Sequence, residues 1–383
     1  MKMIFNYIIR LLLIAAIFSM GCGDDNPLTA PATETELNQL IESEMEQEEI
    51  PSIAAAIVKD DEIVWQNTYG FQDITSQTPP TEETIYLLAS ISKVITAVAV
   101  MQLYENGQLD LDANINTYLP FEIRNPHFPD VPITTRILLT HSSGLAWPTN
   151  EEDPHFNDTY PDDSAPPIGP WIKEYLTPGG AKYLSTTWKN TRPGQRVQYT
   201  NTGGALLGYI VESISGKDFS DYCKENIFDP LEMFNSGFKL RDVDQAKLAM
   251  IYHDGNVIGQ YSVSHYPASM ARSSLEELSH FLIAIINGGI YRNSRILQQG
   301  TVNEMLSIKI PSEGLSFLWQ SQGSGWVGHI GGYWGVSSSL DLHREKNIGV
   351  IILSNTYGIE SIYPDGYIYN LLHLKAEEFA ASE

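Results

Sequence analysis

The chain of 383 residues has only two cysteines, Cys22 and Cys223, too few for a disulfide framework. It is also poor in basic residues, with 23 Lys and Arg against 47 Asp and Glu and a formal net charge of −24. That balance argues against a nucleic-acid partner, because phosphates bind Lys/Arg-rich surfaces. Its nine histidines are scattered. With no H-E-x-x-H pair and no Cys/His cluster, the sequence calls for no metal and no other cofactor. There is no G-x-S-x-G, which removes the strained nucleophile turn of α/β-hydrolases from consideration. The acidic residues Glu151-Glu152-Asp153 and Asp162-Asp163 lack EF-hand spacing and read as a solvated loop rather than a calcium site. No internal repeat is present.

What is there begins at the N-terminus. Lys2 and Arg10 precede an apolar stretch from Leu11 to Met20, then Gly21-Cys22. A charged start, a ten-residue apolar core and a small residue before the cut read as a secretory signal, residues 1–22. The core is too short to span a membrane comfortably. Gly21-Cys22 resembles a bacterial lipobox, with Ser19 where Leu is usual, so Cys22 is the expected site of lipid attachment. This implies an exported lipoprotein of the bacterial cell envelope, periplasmic or surface-facing, held to the membrane by an N-terminal anchor. Residues 23–34 form a polar, Pro-containing tether. Cys223 sits in a helical pattern and reads as an inert thiol.

Residues 35–380 read as one domain. Thr35 can cap a helix bearing Leu37, Leu40, Ile41 and Met45 on one face. Strands Ser52–Lys59 and Glu62–Thr68 follow, turning at Asp60-Asp61. A long apolar helix runs from Ser90 to about Glu105. Helical patterns then alternate with Pro/Gly/Asp-rich loops, of which 146–170 is placed to form a lid or rim. Strands return at about Ser324–Ile330, Val336–His343 and Ile348–Ser354, and a last helix covers about Asp365–Phe379. The expected fold is α/β (α+β): an antiparallel sheet flanked by helices, built from about 35–85 and 321–380, with a mostly helical region, about 86–320, inserted between its second and third strands. A ligand site is expected in the cleft between the two regions.

Three patches carry chemistry. In Ser90-Ile91-Ser92-Lys93 a hydroxyl and an amine share one helix face, so Lys93 can activate Ser90 as a nucleophile. Tyr199-Thr200-Asn201 supplies a phenol able to share the proton with Lys93, and such a pair titrates as a unit. Asn201 offers an amide to a substrate acyl-side amide. His329-Ile330-Gly331-Gly332 places glycines on a strand edge, where a ligand can approach the backbone, and His329 can donate to a substrate carboxylate or carbonyl or assist the proton shuttle.

SISK, YTN and HIG stand in the order S-x-x-K, Y-x-N, then K-T-G or H-x-G. The chain thereby resembles the serine hydrolases related to class C β-lactamases, penicillin-binding DD-peptidases, D-aminopeptidases and esterases. The resemblance extends to Leu138-Leu139-Thr140-His141-Ser142-Ser143-Gly144-Leu145, Asn106-Gly107-Gln108-Leu109-Asp110-Leu111, Tyr118-Leu119-Pro120 and Ser273-Ser274-Leu275-Glu276-Glu277-Leu278. It implies a β-lactamase/transpeptidase-like fold. It also implies Ser90 as nucleophile, Lys93 and Tyr199 as coupled general base and acid, and the N–H groups of Ser90 and Gly332 as oxyanion hole. Asn201, His329 and Gly331 become substrate-binding residues. His141 is expected to be structural, and Trp147, Tyr333 and Trp334 to wall the cleft.

HIG departs from KTG, which offers a fixed cation to a carboxylate. No glutamate replaces the deacylating carboxylate of class A enzymes. The expected substrate is therefore a small ester or a D-amino-acid-containing peptide or amide, as for a D-alanyl-D-alanine carboxypeptidase, a D-aminopeptidase or an esterase. A β-lactamase is one alternative; a non-catalytic penicillin-binding or sensing lipoprotein is another.

Overall fold

The computed structural model describes residues 30–147 and 158–382. The expected signal sequence, Cys22, most of the expected tether and part of the 146–170 loop lie outside the described residues. The chain opens with helix α1, Glu34–Gln47. Its cap is Thr33, not Thr35: the Thr33 hydroxyl accepts from Glu36 N at 3.1 Å, satisfying an N–H that the helix leaves unpaired. Strands β1 (Ser52–Lys59) and β2 (Glu62–Gly70) form the first hairpin. Helix α2 spans Ser92–Glu105, α3 spans Asn201–Ser215 and α4 spans Leu275–Ile286. Strands β3 (Gln320–Gly323), β4 (Trp326–Tyr333), β5 (Val336–His343) and β6 (Ile348–Ser354) return to the sheet, and helix α5 (Tyr367–Ala381) closes the chain.

The sheet has six strands in the order β3-β4-β5-β6-β1-β2, every neighbouring pair antiparallel. Its inner pair β6 and β1 comes from opposite ends of the sequence and pairs from Ile53↔Ser354 to Lys59↔Ile348. Side chains alternate between faces along each strand. Ile53, Ala55, Ile57, Ile348, Val350 and Ile352 pack under α1 and α5 with Leu37, Ile41, Leu371 and Leu372. Ala54, Ala56, Val58, Ile351 and Leu353 face the opposite way, into the larger core with α2, α3 and α4. Both faces are covered, which explains a β1 that reads as one apolar run.

Strand β3 has no counterpart in the sequence reading. Ser324 and Gly325, read there as the start of a strand, form the β3–β4 turn, with φ of +48° and +86°. Gln320-Ser321-Gln322-Gly323 has no β-branched residue and so gives little strand signal. The 146–170 loop ends sooner than the sequence suggests, because a helix spans Ile168–Leu176. Cys223 is buried and unpaired at the end of a short helix, and burial pushes its thiol pKa well up.

Candidate active site

The site begins where the inserted region meets the sheet. A short strand, Ile85–Leu87, pairs with Arg272–Ser274, and Leu88 N donates to Ala271 O at 2.8 Å. Ala89 then takes φ of +46°, the left-handed region that side chains other than glycine's rarely occupy. It turns the chain into a single 3₁₀ turn, Ala89–Ile91, that feeds α2. Ser90 therefore sits on a tight turn before the helix, not in its first turn, at 8% exposure. The turn is held from both sides: Ser92 Oγ accepts from Ala271 N at 2.8 Å, and Ser338 Oγ on β5 donates to Leu88 O at 2.9 Å.

This closeness gives Gly331 its role. A Cβ there would fall inside the contact shells of Leu88 O and Ser338 Oγ. Its carbonyl accepts from Tyr363 Oη at 3.2 Å. Gly331 thus lets the Ser90 turn lie on β4, and its carbonyl is already partnered by Tyr363. Gly332 differs. The β4–β5 turn is two residues long and Tyr333 faces Val336, so hydrogen-bonded pairs fall at Tyr333 and Gly331 and the Gly332 N–H points away from β5. β3 pairs with β4 only as far as Gly328, so that side of Gly332 carries no strand and its N–H is free.

Lys93 is fully buried. Its Nζ lies 2.7 Å from Asn201 Oδ1, 2.8 Å from Ala268 O and 3.0 Å from Ser90 Oγ. The first two oxygens can only accept. A neutral amine has two protons, which satisfy them, and one lone pair, which is left for Ser90. Burial holds the Lys93 pKa well below the ordinary lysine value, favouring that neutral form. Glycines bring the partners in. α3 carries Asn201 at its first position, capped by Thr200, and packs on the 266–268 turn through Gly204 and Gly208. A Cβ at those positions would lie 2.9 Å from Ala268 Cβ and 2.5 Å from Pro267 Cγ.

Tyr199 Oη lies 2.8 Å from Ser90 Oγ, to which it donates. The Ser90 oxygen thus meets Tyr199 on one side and Lys93 on the other. Aromatic rings hold the phenol, with His141 4.6 Å and Trp147 5.5 Å from its centroid. His141 O also accepts from Gln198 N at 2.6 Å, beside Tyr199. Both His141 ring nitrogens are buried without a partner, and burial drives its pKa well down. His141 therefore packs directly on a site residue, closer to the chemistry than its sequence context implies.

His329 stands 6.1 Å from Tyr199, centroid to centroid. Its Nδ1 donates to Ile330 O at 2.6 Å. Burial pushes its pKa down to about 3. A neutral imidazole has one N–H, here committed to Ile330 O. Nε2 is thus a bare acceptor and cannot donate to a substrate carboxylate or carbonyl, as the sequence suggested it would. Tyr333 is buried against Tyr261 and His265 rather than open to a cleft. Trp334 is 44% exposed and stacks on His253 at 5.6 Å.

Sequence reasoning missed the Ala268 carbonyl, which any residue could supply, and the left-handed Ala89. Among the described residues no group of His, Cys, Asp and Glu could hold a metal ion, and no helix is long and apolar enough to cross a membrane.

The family model described as Beta-lactamase matches residues 37–374. A protein from Staphylococcus aureus (strain N315), "Protein flp", is 23% identical over 336 residues, covering 84% of this chain and 63% of that protein. "Beta-lactamase-like protein 2" from Dictyostelium discoideum is 28% identical over 358 residues, covering 86% and 61%. The chain thus spans about three fifths of the length of these curated relatives. Among solved structures, an octameric penicillin-binding protein homologue from Pyrococcus abyssi superposes with a TM-score of 0.68 at 29% identity, covering 89% of this chain and 77% of that one. SurE, solved with D-Leu, superposes with a TM-score of 0.67 at 20% identity, covering 89% and 74%, a likeness of fold.

Proposed function

The chain belongs to the Beta-lactamase family, and on that premise we propose that it is a serine hydrolase that forms a covalent acyl-enzyme on Ser90. One observation carries the reading: Ser90 Oγ lies within hydrogen-bond reach of both Lys93 Nζ (3.0 Å) and Tyr199 Oη (2.8 Å). In acylation the Ser90 proton passes to the Lys93 lone pair as Oγ attacks the substrate carbonyl. The carbonyl oxygen, now an anion, takes hydrogen bonds from the Ser90 and Gly332 N–H groups. One such donor is typically worth about 3 kcal/mol of barrier. When the carbonyl re-forms, the bond to the leaving group breaks, and Tyr199 gives that group its proton. The Lys93 ammonium is the proton source that resets the phenol. Water then releases the acyl group through the same residues in reverse. Asn201 Oδ1 orients Lys93.

The substrate is a small ester or a D-amino-acid-containing peptide or amide, as for a D-aminopeptidase, a DD-carboxypeptidase or an esterase. β-Lactams are the weaker reading, supported by the family name and opposed by the missing cation at His329. Localisation follows the sequence: an envelope lipoprotein anchored through Cys22, which a Cys22→Ser variant tests by its release from the membrane fraction.

The experiment is a panel of p-nitrophenyl butyrate, D-alanine p-nitroanilide and nitrocefin assayed side by side. At least one should turn over, and Ser90→Ala should remove that turnover. Turnover that survives Ser90→Ala overturns the mechanism. Labelling of Ser90 by a fluorophosphonate with no substrate processed would instead support a binding or sensing module.

A further inference from the structure

A cavity of about 250 Å³ lies between the end of α3, the Tyr261–Val263 strand and the 163–168 segment. None of Ser90, Lys93, Tyr199, Asn201, His329 and Gly332 lines it. Pro166, Pro167, Ile168, Phe238 and Val263 form apolar walls. Asp163, Glu212 and Asp218 bring three carboxylates to the lining, against one cation, Lys239.

Two of these carboxylates are satisfied within the chain. Asp163, expected from the sequence to sit in a solvated loop, accepts from Leu240 N at 2.8 Å and from Arg241 N at 2.9 Å. Asp218 accepts from Ser220 N at 3.0 Å and from Lys239 Nζ. Glu212 is half-buried, and its one hydrogen-bond partner among the described residues is Phe219 N, at 3.3 Å. Burial, then the charge of Asp218, pushes its carboxyl pKa up, the direction expected of an anion that lacks a cation. A second, independent observation falls on the same cavity. Tyr266 is 6% exposed, and its Oη is buried without a hydrogen-bond partner. The Ser220 amide is already given to Asp218. Such an unmatched polar atom is destabilising, and a phenol oxygen can accept as well as donate. The Tyr266 ring also tolerates positive charge, with Lys239 Nζ 5.3 Å from its centroid.

Charge and shape together select the occupant. Three carboxylates repel an anion. Among the described residues no group of His, Cys, Asp and Glu could hold a metal ion. The apolar walls favour a ligand with a hydrocarbon body, and the volume, below the roughly 300–1,000 Å³ of drug-sized sites, keeps it small. We propose that this cavity binds a small organic ammonium with an apolar body, its N–H groups shared between the Glu212 carboxylate and Tyr266 Oη. The site goes beyond the acyl-transfer reading and does not rest on it.

The test is a ligand-observed NMR titration of the protein with benzylamine, charged at neutral pH, and with benzyl alcohol, its neutral counterpart. Benzylamine should bind about 10-fold or more tightly, because its hydrogen bond to a carboxylate is a charged one. Glu212→Gln keeps the side chain's shape and should weaken benzylamine binding by about 10-fold or more, and Tyr266→Phe by about 2- to 10-fold. Ser90→Ala should leave the affinity unchanged. Thermal unfolding shows that each variant is folded. Equal binding of amine and alcohol by the wild type, or no saturable binding of the amine, overturns the inference without recourse to a variant. So does an affinity that falls in Ser90→Ala and survives in Glu212→Gln, since the amine would then occupy the acyl-transfer site.

Discussion

The two faces of strand β4 each meet a buried histidine, and they treat it oppositely. Under α1 and α5, His373 stacks on Tyr369 at 3.8 Å and against Trp326 at 4.4 Å. Its Nε2 lies 3.6 Å from the Asp341 carboxylate, which also accepts from Ser339 Oγ at 2.7 Å. On the other face His329 meets a tyrosine and a lysine, and every basic group of the cluster with a resolved pKa shift, Lys93, His141 and His329, is pushed toward its neutral form. One face sets a carboxylate beside its histidine. The other avoids charge, which leaves lone pairs free to take protons. A catalytic base needs the second arrangement, because a carboxylate beside Lys93 would stabilise the ammonium.

That contrast can be broken most severely at Ser90, the proposed nucleophile. Ser90→Ala should abolish turnover. Lys93→Met should lower kcat by about 10³-fold or more, within or above the usual range for general acid–base groups, and stopped-flow or steady-state assays read it directly. The opposite face should respond in stability instead. Asp341→Ala removes a buried carboxylate and leaves the Ser339 hydroxyl without its acceptor, and should cost about 3 kcal/mol in urea unfolding, with kcat of the folded fraction nearly unchanged. A large fall in kcat would show that the two faces are not independent.

Gly331→Ala probes the seam between the faces. The added methyl meets Leu88 O, a backbone atom, and must shift the Ser90 turn. A displacement of about 1 Å is worth about 10²-fold in rate, so kcat/KM should drop by that order, and the overpacked turn should lower stability by about 1–3 kcal/mol.

Protonation gives graded effects, and they fall in different pH windows. The native Lys93 pKa is depressed, so below the unfolded value, about 10.4, the native protein binds fewer protons than the unfolded chain. Wild-type stability relative to Lys93→Met should therefore rise with pH by about 1.4 kcal/mol per unit, from the native pKa up to about 10.4. For His329 the window is acidic. Its native pKa is about 3, so relative to His329→Gln the wild type should lose stability as pH falls below about 6.5, the ordinary histidine value, until the native pKa is reached. Denaturant unfolding across pH measures both, and flat differences would mean that these groups are not held neutral.

Much of this was legible in the sequence. Ser-x-x-Lys, Tyr-x-Asn and His-x-Gly are side-chain patterns, and short runs bounded by turn residues gave β1, β5 and β6 ends that fall where the sequence places them. The parts that were not legible are backbone facts. The Ala268 carbonyl, the left-handed Ala89 and the bond from His329 to Ile330 O leave no trace in residue identity, yet together they fix the protonation of the site. Gly331 illustrates the same limit: a glycine in a ligand-binding motif was read as room for substrate, while the structure uses that room for Leu88 O.

The central claim is that Ser90, served by a neutral Lys93, becomes acylated. Acid-quenched mass spectrometry of the protein mixed with a processed p-nitrophenyl ester tests it most directly. The account predicts one acyl adduct, on the peptide containing Ser90, formed within the first turnover and absent from Ser90→Ala. Turnover without an adduct, or an adduct on another residue that persists in Ser90→Ala, would contradict it.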